Sequence, residues 1–317
     1  MKKTLIALAT LGVVGAASAQ NFTITGNVSA GILTGKTGIK SVTGQDGFNS
    51  NVMTLSASED LGGGMTAKAT QQVRYNGQTM ADRNSGDWAI EVAGPFGAIK
   101  LGQFTFISGS GYNPFASTHA SVAPSGALIG GQDTVAYTSP AFNGLSIGVG
   151  TTFDRAAGVG KPGTGVRINY SNGPLSIQYG SSTAETDVST TAGAKLTSLM
   201  AKYDAGVATV YVSNYNLKAG ADVSATATSN ANAGTADQVK GMGFGIAVPM
   251  GAMTFKVGTM NNSSTNTSSK YNDRTSYGLD YALSKRTSAS IMIASDKRLT
   301  TSGSTGKTSW VGLNHAF

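Results

Sequence analysis

The chain has 317 residues, including 43 glycines, 7 prolines and no cysteine, and its 23 Lys and Arg residues against 16 Asp and Glu give a formal net charge of +7. The lack of cysteine excludes a disulfide scaffold, no segment holds 18 consecutive apolar residues, and so mild an excess of positive charge is a poor explanation for nucleic-acid binding. Glycine at about twice its average usage, together with abundant Ser, Thr, Val and Tyr, favours an all-β protein.

The first 19 residues have the pattern of a secretory signal peptide. Lys2 and Lys3 form a basic start, Leu5 to Ala17 is apolar, and Ala17-Ser18-Ala19 is a small-residue cleavage site. We expect residues 1–19 to be removed and residues 20–317 to form one β-domain.

From Asn21 onward the chain alternates between apolar and polar residues, which indicates strands that are apolar on one side only. We predict sixteen strands, at about 21–33, 51–59, 65–75, 86–93, 98–104, 133–139, 145–153, 165–171, 175–182, 195–204, 207–216, 239–248, 252–260, 273–283, 287–295 and 308–317.

The lengths of the connections distinguish between β architectures. Seven short turns, such as those at residues 60–64 and 94–97, alternate with eight loops that are mostly longer and polar. A soluble sandwich also has alternating strands, but it has no reason to keep this asymmetry. Short periplasmic turns, longer external loops and an even number of strands are typical of a transmembrane β-barrel, and sixteen strands leave an aqueous lumen.

Several motifs resemble the general trimeric porins of beta-proteobacterial outer membranes. Three turns carry the likeness, at residues 58–64, 94–97 and 137–144, as do Tyr281-Ala282-Leu283-Ser284-Lys285-Arg286-Thr287 and the ending Val311 to Phe317. The resemblance implies a sixteen-stranded antiparallel barrel that forms homotrimers in the outer membrane, among lipid and lipopolysaccharide. It also implies that the terminal Phe317 is an assembly signal, which the barrel assembly machinery reads.

The resemblance further implies that the third external loop folds inward and constricts the pore. This loop (loop 3, residues 105–132) is the longest connection, and it contains Tyr112, Asn113, Phe115 and His119 as candidate constriction residues. Its Asn113-Pro114-Phe115 is similar to the family's Asp-Pro-Phe, with an amide in place of the acid.

The family's pore commonly carries three arginines on its wall, and this chain departs from that pattern. The matching positions hold Asn51, Gln103 and Gly130, and loop 3 contains no Asp or Glu. Strand alternation instead points Lys68, Arg74 and Lys100 into the lumen, with Glu91 as a partial offset, because a charge on the lipid face at mid-membrane costs about 2–4 kcal/mol. These residues predict a poorly charged constriction with a weak preference for anions.

The predicted function is passive diffusion of small hydrophilic solutes and ions, with no enzymatic activity, cofactor or metal site. Two alternatives stay open. An outer-membrane hydrolase would need one of the two histidines, His119 or His315, beside a serine and an acid, and no serine stands out in that role. An adhesin or structural barrel would have much longer loops or a plugged lumen.

Overall fold

The structure, a computed structural model, describes residues 21–35, 38–42, 51–74, 86–115, 120–122, 133–153, 162–183, 194–218, 238–264, 273–297 and 305–317. The predicted signal peptide, residues 1–19, lies outside the described residues. None of the helices among the described residues is long and apolar enough to cross a membrane.

Seventeen strands make up almost all of the described chain. They are β1 (Asn21–Gly35), β2 (Gly38–Val42), β3 (Val52–Gly62), β4 (Met65–Arg74), β5 (Trp88–Gly94), β6 (Gly97–Gln103), β7 (Asp133–Thr138), β8 (Leu145–Thr152), β9 (Thr164–Asn172), β10 (Leu175–Thr183), β11 (Lys195–Asp204), β12 (Thr209–Lys218), β13 (Gln238–Met250), β14 (Met253–Ser264), β15 (Asp273–Ala282), β16 (Thr287–Lys297) and β17 (Thr305–Ala316). One 3-10 turn, Ser110–Tyr112, lies in loop 3.

The strands close into an antiparallel barrel, and β1 makes the closure. The first half of β1 pairs with β3, from Asn21 opposite Ser58 to Asn27 opposite Val52. Its second half pairs with β17, the last strand of the chain, from Asn27 opposite Ala316 to Thr34 opposite Ser309. The predicted barrel of sixteen strands is confirmed. The sequence pattern missed β2, a short strand that pairs only with the end of β1 and lies in the first long connection.

The two faces of the barrel differ as the alternation predicts. Large apolar side chains on the outer face remain exposed, among them Ile24, Ile90, Val149, Leu199 and Ile291. Since a soluble monomer seldom exposes a continuous apolar surface of this size, the outer wall is suited to lipid. Polar and small residues of the alternation face inward, and a cluster of larger apolar side chains that includes Leu217, Met260 and Trp310 is buried on the inner face with Phe115 of loop 3.

The short connections lie at one end of the barrel and the long ones at the other. In the turn between β3 and β4, Gly62, Gly63 and Gly64 all have positive φ, between 63° and 77°, which a residue with a Cβ rarely adopts. At the same end Phe317 exchanges two backbone hydrogen bonds of 3.0 Å with Gly26, so the last residue of the chain completes the seam between β17 and β1.

Candidate pore constriction

The described part of loop 3 lies against the inner wall of the barrel, and glycines of the wall receive its side chains. Phe106 is 2% exposed and packs on Gly148 and Gly150 of β8, where an added Cβ would lie 3.2–3.3 Å from its ring. Ile107 packs in the same way on Gly180 of β10. Loop 3 therefore runs along the inside of the barrel after it leaves β6.

The loop then reaches the opposite wall, where the same arrangement recurs. Pro114 lies over Gly245 of β13, with 2.7 Å between the proline ring and the position of an added Cβ. Phe115, which is also 2% exposed, packs on Gly258 of β14 and Gly278 of β15. Loop 3 thus has apolar contacts with both walls.

Asn113 holds two parts of this loop together. Its Oδ1 accepts hydrogen bonds from the backbone N–H of Phe115 at 3.1 Å and of Val122 at 3.4 Å. Its Nδ2 donates to the hydroxyl of Ser121 at 2.8 Å. The two oxygen contacts would suit a carboxylate equally well, so the amide in place of the family's acid removes a charge and keeps the turn.

The predicted wall residues on β4 to β6 lie side by side. The strand register pairs Lys68 with Glu91 and Glu91 with Lys100, and the same row continues to Gly150, which Phe106 covers from inside. The row therefore faces the lumen. The Lys100 ammonium lies 4.5 Å from the centre of the Phe104 ring, just before loop 3 begins.

Arg167 of β9 is a third cation at this wall, and sequence analysis did not select it. Its guanidinium donates to the Phe106 carbonyl at 2.8 Å and to the Thr138 hydroxyl at 3.4 Å, and its centre lies 4.9 Å from the middle of the Phe106 ring. The alternation of the strand could have identified it, because Arg167 lies between the apolar residues Val166 and Ile168 and therefore points inward. Near this group, burial raises the pKa of the Tyr112 phenol, and the positive charge of Arg167 partly opposes the rise.

The cations on the opposite wall are neutralised by carboxylates. Lys256 of β14 forms an ion pair with Asp280 of β15. Arg274 of β15 is 8% exposed, and two of its nitrogens contact the Asp296 carboxylate of β16 at 2.6 and 2.9 Å. Among the described residues, Lys68, Lys100 and Arg167 have no such carboxylate partner within 4 Å. Among the described strands, β4 to β9 thus carry inward cations without a carboxylate partner, whereas the inward cations of β14 and β15 are paired.

The remaining predicted wall residues lie outside this row. Arg74 is at the external end of β4, 3.5 Å from the Asp87 carboxylate. Asn51 is 3% exposed and accepts a hydrogen bond of 2.8 Å from the Ser29 backbone N–H, which makes it part of the wall's structure. Gln103 pairs with Trp88, an exposed residue of the outer face, so the register does not bring it to the Lys100 row. Its place in the constriction stays a prediction.

Two predicted positions, His119 and Gly130, lie outside the described residues. Of the predicted constriction residues in loop 3, the structure brings together Tyr112, Asn113 and Phe115. On the wall, it brings together Lys68, Glu91 and Lys100.

Comparisons with known proteins agree with this architecture. The family model described as Gram-negative porin matches residues 4–301. Outer membrane porin protein 32 of Delftia acidovorans is 28% identical over 222 residues, which are 59% of this chain and 61% of that relative's length. The alignment thus spans less than two thirds of that relative.

Solved structures share the fold at low sequence identity. An anion-selective porin from Comamonas acidovorans has a TM-score of 0.75 and 20% identity, with 94% of this chain and 100% of that chain covered. The Salmonella typhi OmpF complex with daunomycin has a TM-score of 0.69 and 13% identity, with 94% and 98% covered.

Proposed function

Because the chain belongs to the Gram-negative porin family of the outer membrane, we propose that it is a general diffusion channel for small hydrophilic solutes and ions, with a weak preference for anions. The proposal includes no enzymatic step. The Comamonas porin that shares this fold is described as anion-selective, and the charges of this chain support the same sign of preference.

The unequal charge of the two walls is the observation that carries the preference. Lys68, Lys100 and Arg167 contribute three positive charges near the described part of loop 3, against the single negative charge of Glu91 between the two lysines. On the described strands β14 and β15, the inward cations Lys256 and Arg274 each have a carboxylate in contact, so these two pairs contribute almost no net field. A narrow lumen with low-dielectric walls concentrates the field of the unpaired charges.

Loop 3 is the proposed constriction. Its side chains pack on glycines of β8 and β10 on one side and of β13 to β15 on the other. These contacts support a loop that narrows the pore at a fixed position and does not move as a lid. The amide of Asn113 and the neutral phenol of Tyr112 give this narrowing little charge of its own, so the wall cations set the preference.

Three further proposals rest on family membership. We propose that residues 1–19 are a cleaved signal peptide and that the barrel assembles as a homotrimer. We also propose that the barrel assembly machinery reads the last strand with Phe317.

The function is tested by reconstituting the purified protein in planar bilayers. We expect ohmic conductance in three coupled steps, and a reversal potential in a tenfold KCl gradient that has the sign of modest chloride preference. The preference should fade toward 1 M salt, where the Debye length is about 3 Å. Absence of conductance would refute the channel, and strong cation selectivity would refute the charge assignment.

Replacing Lys68 and Lys100 together by Gln is a direct test of the wall. We expect this variant to lose most of its chloride preference while it keeps its conductance within a small factor. Strong anion selectivity that survives these changes and the neutralisation of Arg74 would show that the selective charges lie elsewhere. His119→Ala should leave conductance intact, whereas a hydrolase reading requires that this change abolish a measurable activity.

A further inference from the structure

Three lysines on adjacent strands form a positive cluster on the outer wall. Lys195 of β11 lies directly opposite Lys218 of β12 in the ladder, and Lys240 of β13 is diagonally next to Lys218. All three are exposed. They face outward, because the residues next to them on each strand, Leu196, Leu217 and Val239, are buried on the inner side at 3% exposure or less.

The position of this lysine cluster is unfavourable for the isolated barrel. Like charges directly opposite each other destabilise an antiparallel pair, and a lysine on the lipid face is tolerated only near the membrane interface. Lys195 begins its strand after residues 184–194, and Lys218 ends its strand before residues 219–237, so both lie at the end of the long connections. This is the external end of the barrel, where the outer leaflet carries its headgroups. An anion that belongs to that layer would remove the repulsion.

A groove on the same outer wall runs up to the cluster. Its volume is about 610 Å³, and it extends across β7 to β11 with Lys195 in its lining. Tyr137, Val149 and Val166 give it an apolar lower part. The hydroxyl groups of Thr164 and Thr183, which are hydrogen-bonded to each other at 3.0 Å, lie between this part and Lys195.

We propose that the lysine cluster and this groove bind a phosphorylated glycolipid of the outer leaflet, the lipid part of lipopolysaccharide. A phosphate contacts Lys195, Lys218 and Lys240, and an acyl chain lies along Tyr137, Val149 and Val166. The arrangement of the groups supports this occupant. Lys195 shares the external row of the ladder with the hydroxyls of Thr183 and Thr164, and the apolar surface of Val166 and Val149 begins two residues nearer mid-membrane. The inference rests on the outer-membrane location and is independent of conduction.

The test compares three probes in detergent by native mass spectrometry of the delipidated protein: bisphosphorylated lipid A, the same lipid without phosphate, and its deacylated bisphosphorylated disaccharide. We expect the complete lipid to bind most tightly, because only it satisfies both the cluster and the groove. The double variant Lys195→Gln with Lys218→Gln should bind it about thirtyfold more weakly, since each surface lysine contributes roughly a factor of five to anionic lipid binding. Val166→Trp, which fills the groove, should weaken the complete lipid and leave the disaccharide unchanged.

The matched control is Lys297→Gln with Lys307→Gln. These lysines are also exposed at the external end, but Lys297 lies opposite Asp273 in the ladder, and the pair is away from the groove. We expect its lipid affinity and the conductance of every variant to equal those of the wild type. Failure of conduction in all forms would thus refute the channel and leave the lipid site intact.

Two results would overturn the inference. One is equal affinity of the wild type and the Lys195 and Lys218 double variant for bisphosphorylated lipid A. The other is protection of these lysines from acetylation in a lipid-free oligomer but not in its monomer, which would assign the surface to a second copy of the chain.

Discussion

Neutralising Arg167 tests whether one unpaired wall charge controls ion preference. Gln at this position keeps an amide N–H for the Phe106 carbonyl and removes the positive charge. A unit charge on the wall and an ion about 8 Å away interact by about 0.5 kcal/mol in water. Screening at 0.1 M salt lowers this value, and the low-dielectric wall raises it. Since an anion loses this stabilisation and a cation loses the same repulsion, we expect the chloride-to-potassium permeability ratio to fall about fivefold.

The assay is the reversal potential in a tenfold KCl gradient at low ionic strength. Arg167→Lys is the matched control, since it keeps the charge and should keep most of the preference. The double variant Lys256→Gln with Asp280→Asn removes an ion pair without changing net charge, and it should leave the ratio unchanged. An unchanged ratio in Arg167→Gln, or a change in the double variant as large as that in Arg167→Gln, would refute the division into an unpaired and a paired wall.

Three further changes probe the loop and its supporting wall. Asn113→Asp should preserve the turn, because a carboxylate accepts the same two N–H groups and the Ser121 hydroxyl, and it should lower the chloride preference, as reversal potentials will show. Asp296→Asn leaves the buried guanidinium of Arg274 without its carboxylate and should destabilise the barrel by about 3–5 kcal/mol, measured as a lower urea midpoint. Because burial raises the pKa of Tyr112, its phenol stays neutral below the ordinary tyrosine pKa of about 10. The chloride preference measured from reversal potentials should therefore be constant between about pH 8 and 9.5. A fall of the preference in that interval that is abolished by Tyr112→Phe would show that the phenol is not buried.

The barrel strands were predictable because each follows from local pattern. Alternation of period two marks the strands, and the short turns fix their order, so β11 begins and ends where the sequence places it, at Lys195 and Asp204. The strand β2 was missed because it has no alternating apolar face of its own and is stabilised by pairing with the end of β1. Pairing of this kind depends on a neighbour, and the segment itself does not reveal it.

The charge pairs were not predictable for a different reason. Alternation places Arg274 and Asp296 inward, but their contact requires β15 and β16 to have one particular register, in which the two residues are directly opposite. The register of β4 to β6 likewise sets Glu91 between Lys68 and Lys100 on the near wall, where, within the described part of the chain, it forms no ion pair with either lysine. A one-residue shift in register would move every one of these groups to the other face. Sequence alone therefore yields the list of inward charges, and the ladder determines which of them are neutralised.

The course of loop 3 depends on residues far from it in the chain. Its Phe106, Ile107 and Phe115 are apolar, yet they follow no period that would indicate a strand or a helix. Their partners are wall glycines on β8, β10, β14 and β15, where the absence of a Cβ leaves space for a ring or a branched side chain. Burying each such side chain contributes about 1.5–3 kcal/mol, so several of these contacts, together with the hydrogen bond from Arg167 to the Phe106 carbonyl, hold the loop on the wall. High glycine content, which from composition alone indicates only a β protein, thus has a second role on the inner wall. Because these apolar contacts do not depend on charge, wall cations such as Lys68 and Lys100 can be replaced, and the ion preference changed, without loss of the fold.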